Sequence, residues 1–342
     1  MKMLYGLRYS VCLLTGILAV AGCLFDVRFH IANILWTLFF LVFIDWLLPP
    51  QRRNPPANQP DIIPNLILYI ASVLHISSIA LLVYVANSGT LEILVLSVIS
   101  VGLNAGISGI VVAHELIHRK NLAERLLGQL NMFVVNYTHF YIEHIRGHHK
   151  RVGTPEDPAT ARFGENLYAF VGRTVPGQWR SALMLEAERI RKTHHRTPYG
   201  LHNFVVRALL LQIICCAAIG YFLGWVALAV YLGQSVVAIF QLEYVNYIEH
   251  YGLVRKAGSK VEVQHSWQSD APSSRLTLIE LSRHADHHLK ASKPYHTLVS
   301  HDGGPELNSG YFGMFYAALI PPIWFRLIHR RMAVAGVLPV QS

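Results

Sequence analysis

The stretch LEILVLSVISVGLNAGISGIVVAHELIHRK, Leu91 to Lys120, decides the fold. Its apolar part, Leu91–Ala113, carries one charged residue, Glu92. As a helix it is long enough to cross a bilayer core, which takes about 20 apolar residues. The run then ends in His114-Glu115-Leu116-Ile117-His118. His114 and His118 stand at i,i+4 and share one helix face, and histidine is the commonest metal ligand. The sequence therefore predicts a membrane helix that delivers half a metal site at its end.

The rest of the chain has the same character. Hydrophobic residues make up 53% of its 342 residues and charged ones only 14%, against about 25% for a soluble domain. Five more apolar runs join the first: Tyr9–Phe25, Ile31–Leu48, Asn65–Ala86, Phe204–Gly224 and Trp225–Tyr247. Short turns at Asp26–His30, Asn87–Thr90 and Gly224 pair the six into three helical hairpins. The expectation is an all-α integral membrane protein with about six transmembrane helices and a histidine-rich cap, one membrane-embedded domain over residues 1–342. No convincing cleavage site precedes Asp26, so signal-peptide removal is not expected. Gly102 and Gly106 have the G-x-x-x-G spacing that lets a span approach a neighbour closely. The four cysteines all lie in apolar runs and suggest neither a disulfide framework nor a sulfur-ligated metal.

Charge sets the orientation. Arg52 and Arg53 follow the second run within a Pro-rich stretch, and Arg119, Lys120, Arg125, Arg146, Lys150 and Arg151 follow the fourth. The turns on the other side are nearly uncharged. By the positive-inside rule both termini and every histidine cluster face the cytoplasm. The net charge of +9 then sits mainly on one side, against headgroups or an acidic partner. No nucleic-acid partner is expected of a chain so embedded in lipid.

Three further clusters repeat the chemistry of the first. Glu143-His144-Ile145-Arg146-Gly147-His148-His149-Lys150 places His144 and His148 at i,i+4, where both imidazoles can reach one point. Leu122 to Ile142, an apolar helical stretch that re-enters or partly spans the membrane, brings them to the same side. Asn246-Tyr247-Ile248-Glu249-His250-Tyr251-Gly252 closes the last span, with Glu249 as ligand, outer-sphere acceptor or ion-pair partner. Arg283-His284-Ala285-Asp286-His287-His288 brings three imidazoles to one short helix, where Asp286 would orient a ligand ring through its other nitrogen. Beyond it, Tyr311–Ile328 is broken by Pro321-Pro322 and reads as a bent interfacial helix. Gln178–Lys192 reads as an amphipathic helix with Trp179, Leu183, Ala187 and Ile190 on one stripe.

His114, His118, His144, His148, His149, His250, His284, His287 and His288 make nine candidate ligands. A zinc site takes three or four, so nine fit two metals with four or five ligands each. Imidazole suits iron, copper, nickel and zinc alike, and the residues alone do not name the metal. His139 and His265 lie near enough to support the ligands. His30 and His75 read as loop or buried structural residues, and His194, His195 and His202 as surface ones. Taken alone, His-Glu-x-x-His is also the zinc-peptidase signature, with Glu115 as general base. That alternative leaves the other histidines idle.

The four boxes, in this order, resemble those of the membrane-bound alkane monooxygenase family, itself similar to xylene monooxygenase and to membrane fatty-acid desaturases and hydroxylases. Asn246–Gly252 is the most specific, and Thr154–Thr160 and His265-Ser266-Trp267 also resemble family segments. The chain departs at Ile117, Ala285, Gln264 and Gln268, none of them a candidate ligand. Those departures leave open whether the substrate is an alkane, a xylene-type aromatic or an acyl chain. The resemblance implies two non-haem irons on the nine histidines, with Glu249 and Asp286 as catalytic carboxylates. It implies O2-dependent hydroxylation of an unactivated C–H bond, at the terminal methyl of an n-alkane. Electrons would come from NADH through rubredoxin reductase and rubredoxin, at a bacterial inner membrane. Arg119, Lys120, Arg146, Lys150, Arg151, Arg255 and Lys256 flank three of the boxes and would steer an acidic carrier to them.

Overall fold

Among the described residues, six helices long and apolar enough to cross a membrane form a bundle: α1 (Gly6–Leu24), α2 (Arg28–Leu47), α3 (Ile62–Ser88), α4 (Leu91–Ile117), α7 (Phe204–Leu223) and α8 (Trp225–His250). They come from a computed structural model that describes residues 5–56, 59–193 and 197–338. His194 and His195, expected at the surface, lie outside the described residues, and His202 is exposed. Among the shorter helices outside the bundle, four bear on the site: α5 (Leu122–Phe133), α6 (Leu167–Thr193), α9 (His284–Leu289) and α10 (Pro321–Ala335). Among the described residues there is no β-strand, only an isolated bridge between Gln268 and Glu306. The expectation of an all-α membrane protein holds.

The bundle closes tightly where glycine permits it. A Cβ on Gly102 would come within 2.5 Å of Val237 Cβ, and one on Gly106 within 2.6 Å of the Gln241 amide. So α4 lies almost backbone to backbone on α8, as the G-x-x-x-G spacing predicts. Lipid tails are as apolar as leucine and give helices no hydrophobic reason to associate. Polar ties supply part of the specificity: Asn33 donates to Ser100 in α4 at 3.0 Å, Asn104 to Ser78 in α3 at 3.1 Å, and Gln241 to the Gly102 carbonyl at 2.9 Å.

Three stretches carry π turns, Trp36–Phe40 in α2, Ala105–Ile110 in α4 and Glu143–His148 in the cap. A π turn holds one residue more than an α turn and is frequent at functional sites. The second lies just before His114, and the third carries His144 and His148.

Outside the bundle the sequence expectations need correction in two places. The stretch Leu122–Ile142 is not one helix: α5 stops at Phe133 and the chain resumes in a short helix at Phe140–Ile142. Twelve residues cannot span a membrane. Leu122, Leu126 and Leu130 form an exposed apolar stripe that suits the membrane interface. The amphipathic helix expected at Gln178–Lys192 starts earlier, at Leu167, with Pro176 inside it. The region Tyr311–Ile328 is bent as expected, with α10 opening on Pro321-Pro322.

Buried charges bind cap to bundle. Asp45, near the end of α2, accepts from Ser273 and Ser274 and from the Gly313 backbone N–H. Glu280 is gripped by Arg275 and by Arg8 of α1, both at 2.6 Å. Arg283 pairs with Asp270 at 3.0 Å and donates to the Leu298 carbonyl at 2.7 Å. Ile279 and Glu280 both have positive φ, 43° and 61°, a costly conformation for residues with a Cβ. The ion pairs on either side hold that turn, which aims α9 at the bundle.

Candidate metal centre

Nine histidines from four segments converge at one end of the bundle and divide into two groups. The first is His114, His118, His144, His149 and His287; the second is His148, His250, His284 and His288. Within each group the ligand nitrogens all lie within 4.8 Å of one another. In the first, Nε2 to Nε2 distances are 3.0 Å for His118–His144, 2.9 Å for His144–His149 and 3.1 Å for His149–His287. In the second they are 3.2 Å for His148–His288, 3.2 Å for His250–His284 and 2.9 Å for His284–His288. Two nitrogens bound to one ion at about 2.1 Å and at right angles stand roughly 3 Å apart. The donor sets therefore fit a metal each.

The division corrects the helical reading of the sequence. His144 and His148, expected to meet at one point, serve different groups. The π turn at Glu143–His148 pairs His144 with His149, five residues on, and turns His148 to the other group. The short helix α9 divides too: His284 and His288 join the second group and His287 the first. The i,i+4 pairs His114–His118 and His284–His288 keep the expected pairing.

Six of the imidazoles are held ready as neutral donors. All nine are buried or nearly so. Burial, reinforced by the charge a protonated His148 would carry, pushes His118 down to about 3. Burial and the neighbouring imidazoles hold His144, His149, His284, His287 and His288 well below the ordinary histidine value. A neutral ring offers its lone pair without first losing a proton, which is what a metal requires. His114 Nε2 is buried with no hydrogen-bond partner, an orphan that an ion would satisfy.

Outer contacts orient some of the rings. Asp157 accepts from His148 Nδ1 at 2.9 Å and is itself fixed by Thr160 Oγ1 at 2.6 Å. His250 Nδ1 lies 3.3 Å from the His265 carbonyl, so His265 supports a ligand through its backbone. The role foreseen for Asp286 belongs to Asp157: Asp286 instead binds Lys293 at 2.5 Å, His301 at 2.8 Å and the Val299 N–H at 2.9 Å. Asp157 was visible in the sequence only as one of two carboxylates in the Thr154–Thr160 turn. His139 is buried, stacked on Trp179 at 4.1 Å, and outside both groups. His30 and His75 are buried structural residues. Glu249 stands outside the second group with Oε2 3.2 Å from His284 Nε2. Glu115 faces away, paired with Arg119 at 2.7 Å and accepting from the Tyr295 N–H at 3.3 Å. That engagement leaves it poorly placed as the base of a zinc peptidase.

A narrow apolar cavity of about 70 Å³ reaches both groups from within the membrane region. Its walls include Leu38 and Val42 of α2, Leu103 and Ile107 of α4, and Val245 of α8. It ends at His114, His144, His284 and Glu249. An apolar pocket with a few convergent polar groups is the usual form of a small-molecule site.

Comparison with known proteins agrees with this geometry. Residues 90–302 match the fatty acid desaturase family. Alkane 1-monooxygenase 1 of Alcanivorax borkumensis is 34% identical over 325 residues, covering 91% of this chain and 79% of that protein. The chain belongs to the alkane 1-monooxygenase family. Alkane 1-monooxygenase 1 of Pseudomonas aeruginosa is 40% identical over 232 residues, 66% of this chain but only 60% of that family member. The hydroxylase component of the xylene/toluene monooxygenase of Pseudomonas putida is 28% identical over 296 residues, 84% of this chain and 78% of that protein. All four histidine segments fall inside the matched family region.

Proposed function

We propose that this protein is a non-haem di-iron monooxygenase that hydroxylates the terminal methyl of an n-alkane to a 1-alkanol. The observation that carries the reading is two adjoining all-histidine groups opening on one apolar cavity. His114, His118, His144, His149 and His287 would hold one iron, and His148, His250, His284 and His288 the other. When bound, the irons would supply the activation of O2 needed to attack an unreactive C–H bond. The cavity walls hold an alkane by apolar contact alone and exclude water, which protects a reactive oxidant from side reactions. Because the substrate partitions into lipid, an opening among membrane helices receives it directly.

The remaining assignments extend that reading. Electrons would arrive from NADH through a reductase and rubredoxin at a cytoplasmic face of the inner membrane. Of the basic residues expected to receive the carrier, Arg119, Arg146 and Arg151 pair with Glu115, Glu186 and Glu143. Arg255 is buried and donates to the Val152 and Lys150 carbonyls at 2.7 Å. Recognition of an acidic carrier then falls to Lys120, Lys150 and Lys256.

The test is metal analysis with product identification. Purified protein is expected to contain about two irons per chain, and with reductase, rubredoxin, NADH and O2 to convert octane to 1-octanol. Xylene turned over in preference to octane would move the substrate to an aromatic methyl. One zinc, no iron and peptide cleavage would overturn the reading.

A further inference from the structure

A second recess, of about 640 Å³, lies on the cap between α6 and the chain from Arg151 to Arg162. It shares no residue with the two histidine groups. Five arginines line it, Arg151, Arg162, Arg173, Arg180 and Arg191, against two carboxylates, Glu156 and Glu188. Some of these charges are already satisfied. Arg173 is spent on Glu165, at 2.7 and 2.8 Å, and on the Pro158 and Thr160 carbonyls. Glu188 is taken by Lys192 at 2.6 Å. The rest are not. Arg151 is pinned through Nη2 alone, to Glu143 at 2.8 Å and to Ser181 at 2.5 Å, which leaves Nη1 for a ligand. Arg191 lies over the Tyr199 ring, 5.7 Å from its centroid, and forms no ion pair among the described residues. Arg162 and Arg180 make no side-chain hydrogen bond or ion pair among the described residues. Like charges gathered around one concave space repel, and an anion among them relieves the repulsion. The planar fork of a guanidinium matches the oxygens of a phosphate.

Position identifies the source of that phosphate. Tyr199 precedes by five residues Phe204, where the membrane helix α7 begins. Met184 and Tyr199 both line the recess and are exposed, and Leu201 beyond them is exposed too. Exposed tyrosine and apolar side chains beside the end of a span mark the membrane–water interface. Basic pockets at that depth take anionic headgroups. We infer that the recess binds the phosphodiester of an anionic glycerophospholipid, one per chain. Arg162, Arg180 and Arg191 supply the charge, and Arg151 Nη1 supplies a fixed donor. Met184 and Tyr199 contact the glycerol and the first acyl carbons. A zwitterionic lipid offers the same phosphate with a cation attached, which the arginines repel. Pro155, Glu156 and Pro158 line the recess on either side of Asp157. A bound headgroup therefore clamps to α6 the turn whose Asp157 holds His148.

The test is calorimetric titration of iron-loaded, delipidated protein in detergent with dihexanoyl phosphatidylglycerol. Dihexanoyl phosphatidylcholine at equal mole fraction in the micelle, inorganic phosphate and a hexaglutamate peptide are titrated beside it. Phosphatidylglycerol is expected to saturate at one per chain and to bind about tenfold tighter than phosphatidylcholine. Inorganic phosphate, which lacks the apolar contact, should bind at least about tenfold more weakly than phosphatidylglycerol. Arg162→Gln with Arg180→Gln is expected to lower phosphatidylglycerol affinity about tenfold and flatten its salt dependence. Phosphatidylcholine binding and iron content should stay at wild-type values. Equal binding of the two lipids would overturn the site, and so would a double variant with wild-type affinity for phosphatidylglycerol. Inorganic phosphate binding as tightly as phosphatidylglycerol would give the recess to a soluble phosphate and refute the lipid. Displacement of phosphatidylglycerol by hexaglutamate at equal concentration would give it to an acidic protein and refute the lipid as well. If the double variant does not fold, the wild-type series alone decides.

Discussion

Asp157 and Asp286 separate two carboxylates that look alike in sequence. Each follows or sits within a histidine box, but only Asp157 touches a ligand ring. Removing an outer-sphere partner of a metal-bound histidine typically costs 10–100-fold in metal affinity or activity. Asp157→Asn is therefore expected to release metal at about tenfold lower chelator concentration than wild type. Asp286→Asn, which loosens only Lys293, His301 and Val299, should leave that concentration within about twofold and lower thermal stability instead. Equal metal loss in both variants would contradict the assignment. A second contrast uses adjacent residues: His148→Ala should weaken one metal and His149→Ala the other, because the two rings serve different groups. Metal content near one per chain in each, with distinct spectroscopic signatures for the metal retained, is the expected result. The ligand types were legible from the sequence because no packing argument explains nine histidines in four short boxes. Asp157 was not, because what selects it is a turn that closes over His148 from outside the boxes.

At the scale of elements, the pairing of ligands was misread because helical period was assumed. Nothing in Glu143–His148 distinguishes a π turn from an α turn by residue type. The extra residue is accommodated only because two groups of imidazoles must be filled from one helix, and that demand comes from the other segments. Gly147 reports on this turn. A Cβ there would come within 2.4 Å of Arg151 Nη2 and 2.5 Å of Glu143 Oε1, the atoms of an ion pair 2.8 Å long whose carboxylate is buried. Gly147→Ala should thus displace that pair and cost about 1–3 kcal/mol, read as a lower midpoint of thermal unfolding with metal loss from the first group. An unchanged midpoint would mean that the turn relaxes freely. The spans, by contrast, were legible to within four residues at each end. In a bilayer every backbone group must be paired within its own segment, so an apolar run of sufficient length has little choice but helix. The G-x-x-x-G contact followed for the same reason: close packing of α4 on α8 leaves room for hydrogen alone at Gly102.

Across the whole molecule, the proposed function requires all nine histidines to lie on one side of the membrane, and the positive-inside rule predicts which side. The end of the bundle that carries them also carries the exposed Arg52, Lys120 and Lys256 and the half-buried Arg125. The opposite end has only the short connections after α1, α3 and α7. Its one charged pair, Asp26 with Arg28 at 2.9 Å, is neutral as a unit. Lysine and arginine in short loops resist translocation, and carboxylates contribute little, so the histidine end should remain in the cytoplasm. Reporter fusions after Arg53, Lys120 and Arg255 are expected to report cytoplasm, and a fusion after Ser88 the far side. The charge argument can be separated from the fold by changing Lys120 and Arg125 to glutamine. Neither residue touches an imidazole, so metal content should hold while the fraction of molecules inserted in the expected orientation falls. A fusion after Lys120 on the far side, with Arg255 remaining cytoplasmic, would put the first and third boxes on opposite faces. No shared metal centre survives that arrangement, and the convergence of the nine rings would have to be abandoned with it.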